Sequence, residues 1–370
     1  MGKLDTDIFA EIKEIKYKSF FNLNLQEIKI RDFDINECPS SCVINTGKDK
    51  FALSKWVSPK RTRSYPFERV YNTLGYSKKI TVIPIIKDEG KEGDRDFIQW
   101  DTVSLMSLLD VYVILGYYDS ATKSPKRAHK ITNQKFNNIF IKNKIDEISQ
   151  YHSSALHWNL NQIKSNLSTI VKRVFNSYNA ISKTTKVDMH NKKGIDNFVC
   201  SISLDIEQFK NESRRKAKEA QHREMKTIQP KELLTSITKS KITIKNFLGG
   251  YYYFTTDEVN IKKNKLFLIE SKHSKNALLP NISDIKDGLL KMILYKNLSS
   301  VKINNKEYQK IPLLRLTSNK LKSNIVSGDK NEVIDLFIKK NKFNEKNADV
   351  IKTLFKEAQH NNFFIEIRKI

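Results

Sequence analysis

Residues 265–274 read KLFLIESKHS, and this stretch decides the fold class expected for the C-terminal half of the chain. Side chains alternate between the two faces of a strand, so Leu266, Leu268, Glu270 and Lys272 share one face. That face begins apolar and ends in a carboxylate and an amine two residues apart. Charged groups at core-facing positions are usually paired or bind metal ions, which makes Glu270 and Lys272 candidate site residues.

A second apolar and aromatic run, GGYYYFTTDEVN at residues 249–260, lies just upstream. The two runs are separated by a short polar segment and predict a β-hairpin in which Asp257 meets Glu270. Mg²⁺ takes oxygen ligands and commonly binds one or two carboxylates together with water and phosphate. The pattern therefore predicts a Mg²⁺ site held by Asp257 and Glu270, with Lys272 orienting a water molecule or stabilising charge. A metal-free cluster of surface charges is the alternative interpretation.

The same run contains three consecutive tyrosines, Tyr251, Tyr252 and Tyr253. Such residues can stack on nucleotide bases, but aromatic side chains in a strand more often pack within the sheet. We therefore expect these tyrosines to pack, and we keep base stacking as the alternative.

Periodic patterns on both sides of the hairpin predict its neighbouring elements. They indicate a helix over 230–239 and a strand over 241–247. A helix over 281–298 and a strand over 308–316 follow. The predicted order is one helix, three strands, a second helix and a further strand.

Asp257, followed thirteen residues later by Glu270-Ser271-Lys272, resembles the signature of the PD-(D/E)xK nuclease superfamily. That signature joins an acidic residue on one strand to (D/E)-x-K on the next. Thr256 stands where the family often has proline, which leaves Asp257 and Glu258 as alternatives for the first metal ligand, with Asp257 favoured. The resemblance covers roughly residues 196–318. It implies that Glu232, on the helix over 230–239, is a further candidate acidic ligand, and a solvated helix acid is the favoured alternative. It implies an α/β (α+β) fold with a restriction-endonuclease-like core, in which helices flank a mixed central sheet.

Within that superfamily the chain looks most like a type II restriction endonuclease, because it has no GxxxxGK[ST] phosphate loop for ATP-driven translocation. The resemblance implies Mg²⁺-dependent hydrolysis of phosphodiester bonds in double-stranded DNA by a homodimer. It also implies a cognate DNA methyltransferase that protects the host. A repair, resolvase or transposition nuclease of the same superfamily and a non-catalytic basic DNA-binding protein are the alternatives.

The charge of the chain also favours nucleic acid as its partner. The 370 residues include 66 Lys and Arg against 41 Asp and Glu, a net charge of +25. Four cations, Lys55, Lys60, Arg61 and Arg63, lie in the segment KWVSPKRTRSY at residues 55–65, beside two aromatic residues. This composition suits contacts with phosphates and bases. Prolines in and after the segment disfavour the continuous amphipathic helix of a membrane-surface protein.

A second acidic segment, GDRDFIQWDT at residues 93–102, allows three interpretations. Asp96 and Asp101 could form a competing metal site, and Arg95 and Gln99 match the edges of guanine and adenine. An acidic turn in solvent is the third. No cation follows at E-x-K spacing, so we assign catalysis to Glu270 and Lys272.

The patterns divide the chain into three expected parts. They are a basic DNA-recognition domain over 1–145, a helical connector over 146–195 and a nuclease-like catalytic domain over 196–370. Near the N-terminus a helix is expected over 5–19. The β-branched run over 79–86 predicts a strand that Pro84 places at a sheet edge.

Cysteine usage and hydropathy favour a cytoplasmic protein. Three cysteines, Cys38, Cys42 and Cys200, do not make a disulfide framework or complete a zinc site. The first thirty residues have no secretory apolar region. The longest apolar stretch, over 103–118, is too short to cross a bilayer, so no membrane partner is expected.

Overall fold

The computed structural model describes residues 7–21, 24–59, 67–191, 193–194, 197–198, 206–226 and 240–370. These residues form a mixed α/β protein with several sheets flanked by helices, which confirms the expected fold class at that level. The chain divides into two compact units. The first comprises residues 1–23 and 217–370, and the second comprises residues 24–216. In sequence, the second unit is therefore inserted into the first.

The first unit begins with a strand and continues after the insertion. Its elements are β1 (Asp7–Ile12), β11 (Ser240–Asn246), β12 (Tyr251–Thr256), β13 (Glu258–Lys262), β14 (Lys265–Ser274), α7 (Ile282–Lys296), β15 (Leu298–Ile303), β16 (Lys306–Glu307), β17 (Gln309–Ser318), β18 (Ile325–Val326), α8 (Asn331–Asn341), α9 (Glu345–Asn361) and β19 (Phe364–Lys369). Another helix, α6 (Ile206–Lys226), has residues in both units.

One sheet of the first unit has the strand order β13-β14-β17-β19-β18, and we call it the site sheet. β14 and β17 are parallel over their full lengths, from Lys265 opposite Gln309 to Ser274 opposite Ser318. Parallel neighbours need a crossover connection, and α7 lies within it and packs on both strands. The predicted helix over 281–298 and strand over 308–316 are thus confirmed as α7 and β17.

The other sheet of the first unit has the order β12-β11-β1-β15-β16, and we call it the outer sheet. Its central strand is β1, so the helix predicted over 5–19 is wrong. Ile8, Ala10 and Ile12 are buried, and the residues between them are more exposed, which is the two-residue period of a strand. β1 pairs in parallel with β11 and antiparallel with β15. Partners distant in the sequence therefore override the local pattern.

The expected hairpin also needs a correction. The run over 249–260 forms two strands, of which β13 pairs with β14. The other strand, β12, pairs antiparallel with β11 in the outer sheet. The chain changes from one sheet to the other at Asp257, which lies between β12 and β13. The turn of the true hairpin has Lys263 at a positive φ of 55°.

The second unit alternates strands and helices. Its elements are β2 (Glu27–Lys29), β3 (Ser41–Asn45), β4 (Lys50–Lys55), α1 (Phe67–Thr73), β5 (Lys79–Pro84), β6 (Ile86–Asp88), β7 (Arg95–Phe97), α2 (Trp100–Leu108), β8 (Tyr112–Gly116), β9 (Tyr118–Lys123), β10 (Ile131–Phe136), α3 (Asn138–Ser149), α4 (Ala155–Asn161) and α5 (Leu167–Thr185). The main sheet has the order β2-β3-β4-β5-β8. Its core includes Phe33, Phe51, Ile80, Ile114 and Trp158, all buried.

β5 is an inner strand, so the edge position predicted from Pro84 is wrong. It lies between β4 and β8. Its last pair with β4 joins Val82 to Lys55, and Pro84 therefore lies beyond the point where β4 needs a donor from β5. On its other side, Pro84 is opposite Gly116.

The boundaries of the two units differ from the expected domain limits. The helices of the predicted connector over 146–195 belong to the second unit, because α4 and α5 pack on β8 and β9. The first strand of the predicted N-terminal domain over 1–145, β1, belongs instead to the first unit. The predicted helix over 230–239, with Glu232, lies outside the described residues. Within the described part of the chain, no helix is long and apolar enough to cross a membrane.

Candidate active site

The site lies near the carboxyl end of β14. Leu266 and Leu268 are fully buried, and Glu270, on the same face, is 2% exposed. Lys272 follows on that face with 17% of its side chain exposed. The expected alternation is therefore present, and the apolar face of β14 ends in an ion pair close to solvent.

Asp257 lies beside Glu270 because the chain passes from the outer sheet to the site sheet at this residue. Glu258 lies opposite Ile269, and continuing this antiparallel register by one residue brings Asp257 beside Glu270. The Asp257 Oδ2 atom accepts a hydrogen bond from the Ser271 backbone N–H at 2.8 Å. The structure thus brings together the three residues proposed from the sequence.

Glu258 has a different environment. It lies on the opposite face of the site sheet and forms an ion pair with Arg315. Arg315 also binds Glu366, with 2.6 Å between its Nε and the carboxylate Oε2. Of the two candidates for the first metal ligand, it is therefore Asp257 that lies next to Glu270.

Glu270 forms ion pairs with two lysines. Its Oε1 is 2.9 Å from the Lys272 Nζ, and its Oε2 is 2.9 Å from the Nζ of Lys291 on α7. Lys272 is also bound by Asp287, whose Oδ2 lies 2.5 Å from the Lys272 Nζ. The Lys272 ammonium is consequently fixed between two carboxylates, one from β14 and one from α7.

Asp287 and Lys291 are site residues that the sequence interpretation missed. They lie four residues apart on α7, so they share a helix face. The sequence showed a pair of charges in a predicted helix that is otherwise rich in apolar residues. No feature of the neighbouring sequence indicates which strand this pair contacts. α7 itself is oriented by its first turn, where the Asn281 side-chain oxygen accepts the Asp284 N–H at 2.8 Å.

Gly288 lets α7 approach β14 and β17 closely. A Cβ atom at this position would lie 2.6 Å from the Leu314 Cδ1 and 3.4 Å from the Lys272 Cε. The missing side chain thus leaves room for the core leucine, whereas the distance to the Lys272 stem would be an ordinary contact. A glycine between Asp287 and Lys291 is therefore part of how the site is assembled.

The electrostatics of the site follow from burial and close charges. Burial and the nearby Glu270 raise the pKa of Asp257 to about 6, against the opposing effect of Lys291 and Lys272. Burial also acts to raise the pKa of Glu270, but Lys291 and Lys272 outweigh it and lower that pKa. For Lys272, burial acts to lower the pKa, but Glu270 and Asp287 outweigh it and raise it. The buried charges therefore stabilise one another.

The donor set fits a hard divalent cation. Asp257 and Glu270 supply carboxylate oxygens, and with Asp287 the site has three acids against two lysines, Lys272 and Lys291. Within the described ranges, no group of three or more His, Cys, Asp and Glu side chains could hold a metal ion. Mg²⁺ would therefore have two protein carboxylates and fill its other positions with water and phosphate, as it commonly does.

Of the four cations expected to contact phosphates, Lys55 is the one that lies among the described residues. Lys60, Arg61 and Arg63 lie outside the described residues. The Lys55 ammonium donates to the backbone carbonyls of Ile35 at 2.7 Å and Cys38 at 2.9 Å. Lys55 is thus engaged with the fold of the second unit, and its geometry does not support the expected phosphate contact.

Arg95 and Gln99, the predicted base-reading residues, also contact the second unit. The Arg95 Nη1 donates to the Asn191 carbonyl at 2.9 Å, and its guanidinium lies 5.3 Å from the centre of the Phe97 ring. Gln99 directly precedes α2, and its Oε1 is buried without a hydrogen-bond partner. Arg95 is thus engaged with the fold of the second unit, and the Gln99 Oε1 is turned away from solvent.

Each acid of the competing pair, Asp96 and Asp101, accepts a hydrogen bond from a serine hydroxyl. Asp101 is 1% exposed and accepts a hydrogen bond from the Ser213 Oγ at 2.5 Å. Asp96 accepts one from the Ser58 Oγ at 3.3 Å. These contacts support a structural role for both acids. Among the described residues, neither this pair nor Asp257 with Glu270 belongs to a group of three or more His, Cys, Asp and Glu side chains that could hold a metal ion.

Known proteins add no further constraint on the site. Comparison of the chain with protein-family models, with curated proteins and with solved structures finds no match. The chemistry of Asp257, Glu270 and Lys272 must therefore be argued from their own geometry.

Proposed function

We propose that the chain is a sequence-specific endonuclease that uses Mg²⁺ to hydrolyse phosphodiester bonds in double-stranded DNA, as type II restriction endonucleases do. The observation that carries the proposal is the meeting of Asp257, Glu270 and Lys272 at one end of β14. Two adjacent carboxylates, of which Glu270 is buried, beside a fixed ammonium group have the chemical components that phosphodiester hydrolysis requires.

Each residue has a distinct role in this proposal. Asp257 and Glu270 hold Mg²⁺, which when bound lowers the pKa of a water molecule and neutralises charge on the scissile phosphate. Lys272, held by Glu270 and Asp287, orients the attacking water or stabilises negative charge in the transition state. Lys291 holds the second oxygen of Glu270 and so fixes the orientation of that carboxylate.

Charge supports DNA as the substrate. The net charge of +25 favours a polyanionic partner. In the proposed assembly, the second unit recognises the DNA sequence and the basic segment over 55–65 contacts phosphates through Lys60, Arg61 and Arg63. The protein acts as a homodimer on a palindromic site, and a cognate methyltransferase protects the host DNA.

A second candidate function is a DNA-binding protein without catalytic activity. It is favoured by one specific observation, the bonding of both Glu270 oxygens to lysine ammonium groups. An ion-pair network that only supports the fold would have this geometry. Such a protein would bind DNA with a steep salt dependence but have no metal requirement.

Variants of the site distinguish the two candidates. We expect Lys272→Ala and Asp257→Asn to lose cleavage by at least about 100-fold, because each removes an electrostatic contribution to the reaction. Lys275→Ala is the matched control, since Lys275 is exposed one residue beyond β14. The measurement is cleavage of unmethylated phage-length DNA with Mg²⁺, alongside DNA binding in EDTA. DNA binding by both variants should stay within about twofold of the wild type, because the proposal assigns phosphate contacts to the basic segment over 55–65 and not to these residues.

Equal cleavage by Lys272→Ala and the wild-type protein would overturn the assignment of this site. A wild-type protein that retards DNA but leaves it intact with and without Mg²⁺ would favour the non-catalytic candidate instead.

A further inference from the structure

Lys291 is a largely buried lysine whose ammonium group contacts a buried carboxylate. Its side chain is 17% exposed, and its Nζ lies 2.9 Å from the Oε2 of Glu270, which is itself 2% exposed. A charge removed from water is unfavourable unless an opposite charge balances it. The ion pair with Glu270 balances the charge of Lys291 and also places a positive group inside the candidate metal site.

The ammonium of Lys291 acts on both proposed metal ligands. Burial and the nearby Glu270 raise the pKa of Asp257, and Lys291 opposes this rise more strongly than Lys272 does. Against the effect of burial, Lys291 also lowers the pKa of Glu270 more strongly than Lys272 does. The charge of Lys291 is thus the stronger of the two at both carboxylates. It lies in the part of the site where a metal ion shared by Asp257 and Glu270 would bind.

A metal ion and this ammonium group compete for Glu270. Both oxygens of Glu270 are already engaged, Oε1 by Lys272 and Oε2 by Lys291. Mg²⁺ binds oxygen at about 2.0–2.1 Å and keeps several water molecules, so it needs room beside the oxygen that it binds. Two cations at one oxygen also repel each other strongly where water is largely excluded. We therefore expect one of the two lysine contacts to break when a metal ion binds.

Lys291 is the lysine that loses fewer contacts by leaving Glu270. Lys272 has a second carboxylate partner, with 2.5 Å between its Nζ and the Asp287 Oδ2. Among the residues that the structure describes, the one salt bridge of Lys291 is that with Glu270. Against the effect of burial, Glu270 raises the pKa of Lys291, and Asp287 contributes to that rise. Asp287 lies four residues before Lys291 on α7, a spacing at which side chains are neighbours, so a displaced Lys291 would still have a carboxylate beside it.

We propose that the Lys291 ammonium occupies the metal position in the metal-free protein, and that it leaves the Glu270 Oε2 for Asp287 when a divalent cation binds. The inference rests on the proposed function, because it takes Asp257 and Glu270 as the metal ligands. Lys291 is then a positioning residue with two states. It orients Glu270 before the metal binds, and it sets the metal affinity of the site by competing for one oxygen.

Binding of Mn²⁺ to the DNA-free protein tests the proposal, with free Mn²⁺ measured by its electron paramagnetic resonance signal. Mn²⁺ favours the same oxygen ligands as Mg²⁺. We expect Lys291→Met to bind Mn²⁺ at least about tenfold more tightly than the wild type, because apparent affinity is reduced by the fraction of molecules in which the site is open. Lys291→Arg keeps the positive charge and should bind no more tightly than the wild type.

Two further variants locate the effect. Asp257→Asn in the Lys291→Met protein should remove the gain in affinity, because it removes a metal ligand. Lys275→Met removes an exposed charge one residue beyond β14, and its Mn²⁺ affinity should stay within about twofold of the wild type because exposed charges are screened. A gain that came only from lower net charge would appear in Lys275→Met as well.

Thermal unfolding separates this role from a purely structural one. In EDTA, Lys291→Met should unfold at a lower temperature than the wild type, because Glu270 keeps one charged partner. A ligand that binds only the folded state stabilises it more as its affinity increases, so Mn²⁺ should raise the unfolding temperature of Lys291→Met more than that of the wild type. A lysine that only supports the fold would show the loss in EDTA without the greater rise in Mn²⁺.

A crystal structure of the wild-type protein grown with Mn²⁺ keeps the proposal testable if Lys291→Met fails to fold. We expect the metal beside Asp257 and Glu270, and the Lys291 Nζ more than about 4 Å from the Glu270 Oε2, which is beyond the range of an ion pair.

Three results would overturn the proposal. The first is equal Mn²⁺ binding by Lys291→Met and the wild type, including no binding by either. The second is tighter binding by Lys291→Arg than by the wild type. The third is a metal bound by Asp257 and Glu270 while Lys291 stays on the Glu270 Oε2.

Cleavage in Mg²⁺ tests the nuclease function separately. Wild-type cleavage together with unchanged Mn²⁺ affinity in Lys291→Met would reject only the exchange at Lys291. Tighter Mn²⁺ binding by Lys291→Met, without cleavage by the wild type, would reject only the nuclease function.

Discussion

Glu270 is a buried carboxylate that depends on two charged partners. It is 2% exposed, and its charge is balanced by the ammonium groups of Lys272 and Lys291. A buried carboxylate that loses one partner is left partly uncompensated, and such losses are costly even where the intact pair adds little stability. The lysines are therefore needed for folding in addition to any role in catalysis.

Lys291→Ala tests this dependence. We expect the free energy of unfolding to fall by about 3 kcal/mol, because Glu270 then keeps only Lys272 as a charged partner. Urea denaturation followed by circular dichroism measures the change. The exposed Lys275→Ala should stay within about 0.5 kcal/mol of the wild type. If Lys291→Ala were as stable as Lys275→Ala, the ion pair on α7 would contribute nothing to the fold.

The helix α7 completes the site by packing on β14 and β17. Gly288→Ala should destabilise the protein by about 1 kcal/mol, because overpacking costs about 1–3 kcal/mol and the better helix propensity of alanine returns about 1. Cleavage should fall as well, since the new Cβ would lie 2.6 Å from the Leu314 Cδ1 and relieving that contact would move α7, which carries Asp287 and Lys291.

Thermal unfolding and cleavage rates, measured side by side, test the Gly288 prediction. Gly328→Ala is the control, because no atom lies within 4 Å of a Cβ at that position. Full activity and unchanged stability in Gly288→Ala would show that α7 does not pack as closely on Leu314 as described.

The inner position of β1 also predicts how a substitution will change stability. It has a partner strand on each side, so proline at Glu11 removes a donor from an inner strand. We expect Glu11→Pro to lower the free energy of unfolding by at least about 3 kcal/mol. Glu11→Ala keeps the N–H at the same half-buried position and should cost less than about 1 kcal/mol. Equal stabilities in denaturant would contradict the inner position of β1.

Elements with a strong local period could be predicted from the sequence, and their partners could not. The apolar alternation before Glu270 and the helical spacing over 281–298 correspond to β14 and α7. The pairing of β1 with β11 joins residues more than two hundred positions apart, and no local pattern encodes it. Local propensity was overridden there by tertiary pairing.

The candidate site shows the same division. Asp257, Glu270 and Lys272 were identified because their spacing carries a chemical pattern, and the structure brings them together. Asp287 and Lys291 join them only through the packing of α7 on the sheet. Their charges were visible in the sequence, but their partners depend on a crossover whose geometry the sequence does not specify.

At the scale of the whole molecule, the net charge of +25 makes a prediction about DNA binding. Neutralising phosphates releases counterions, so affinity should fall steeply with salt. For six or more phosphate contacts we expect a loss of about 10³-fold or more between about 50 and 200 mM salt. Titrations of a labelled duplex in EDTA measure the slope. A slope near zero would mean that the basic surplus does not contact DNA.

The central claim is that Asp257, Glu270 and Lys272 form a Mg²⁺-dependent nuclease site, and one incubation tests it most directly. Purified protein is incubated with unmethylated phage-length DNA in Mg²⁺ or in EDTA, and the products are run on a gel. We predict discrete fragments with Mg²⁺ and intact DNA with EDTA, and sequencing the fragment ends would give the recognition site and the cut position. DNA that stays intact in Mg²⁺, on undamaged, damaged and branched substrates alike, would contradict the claim.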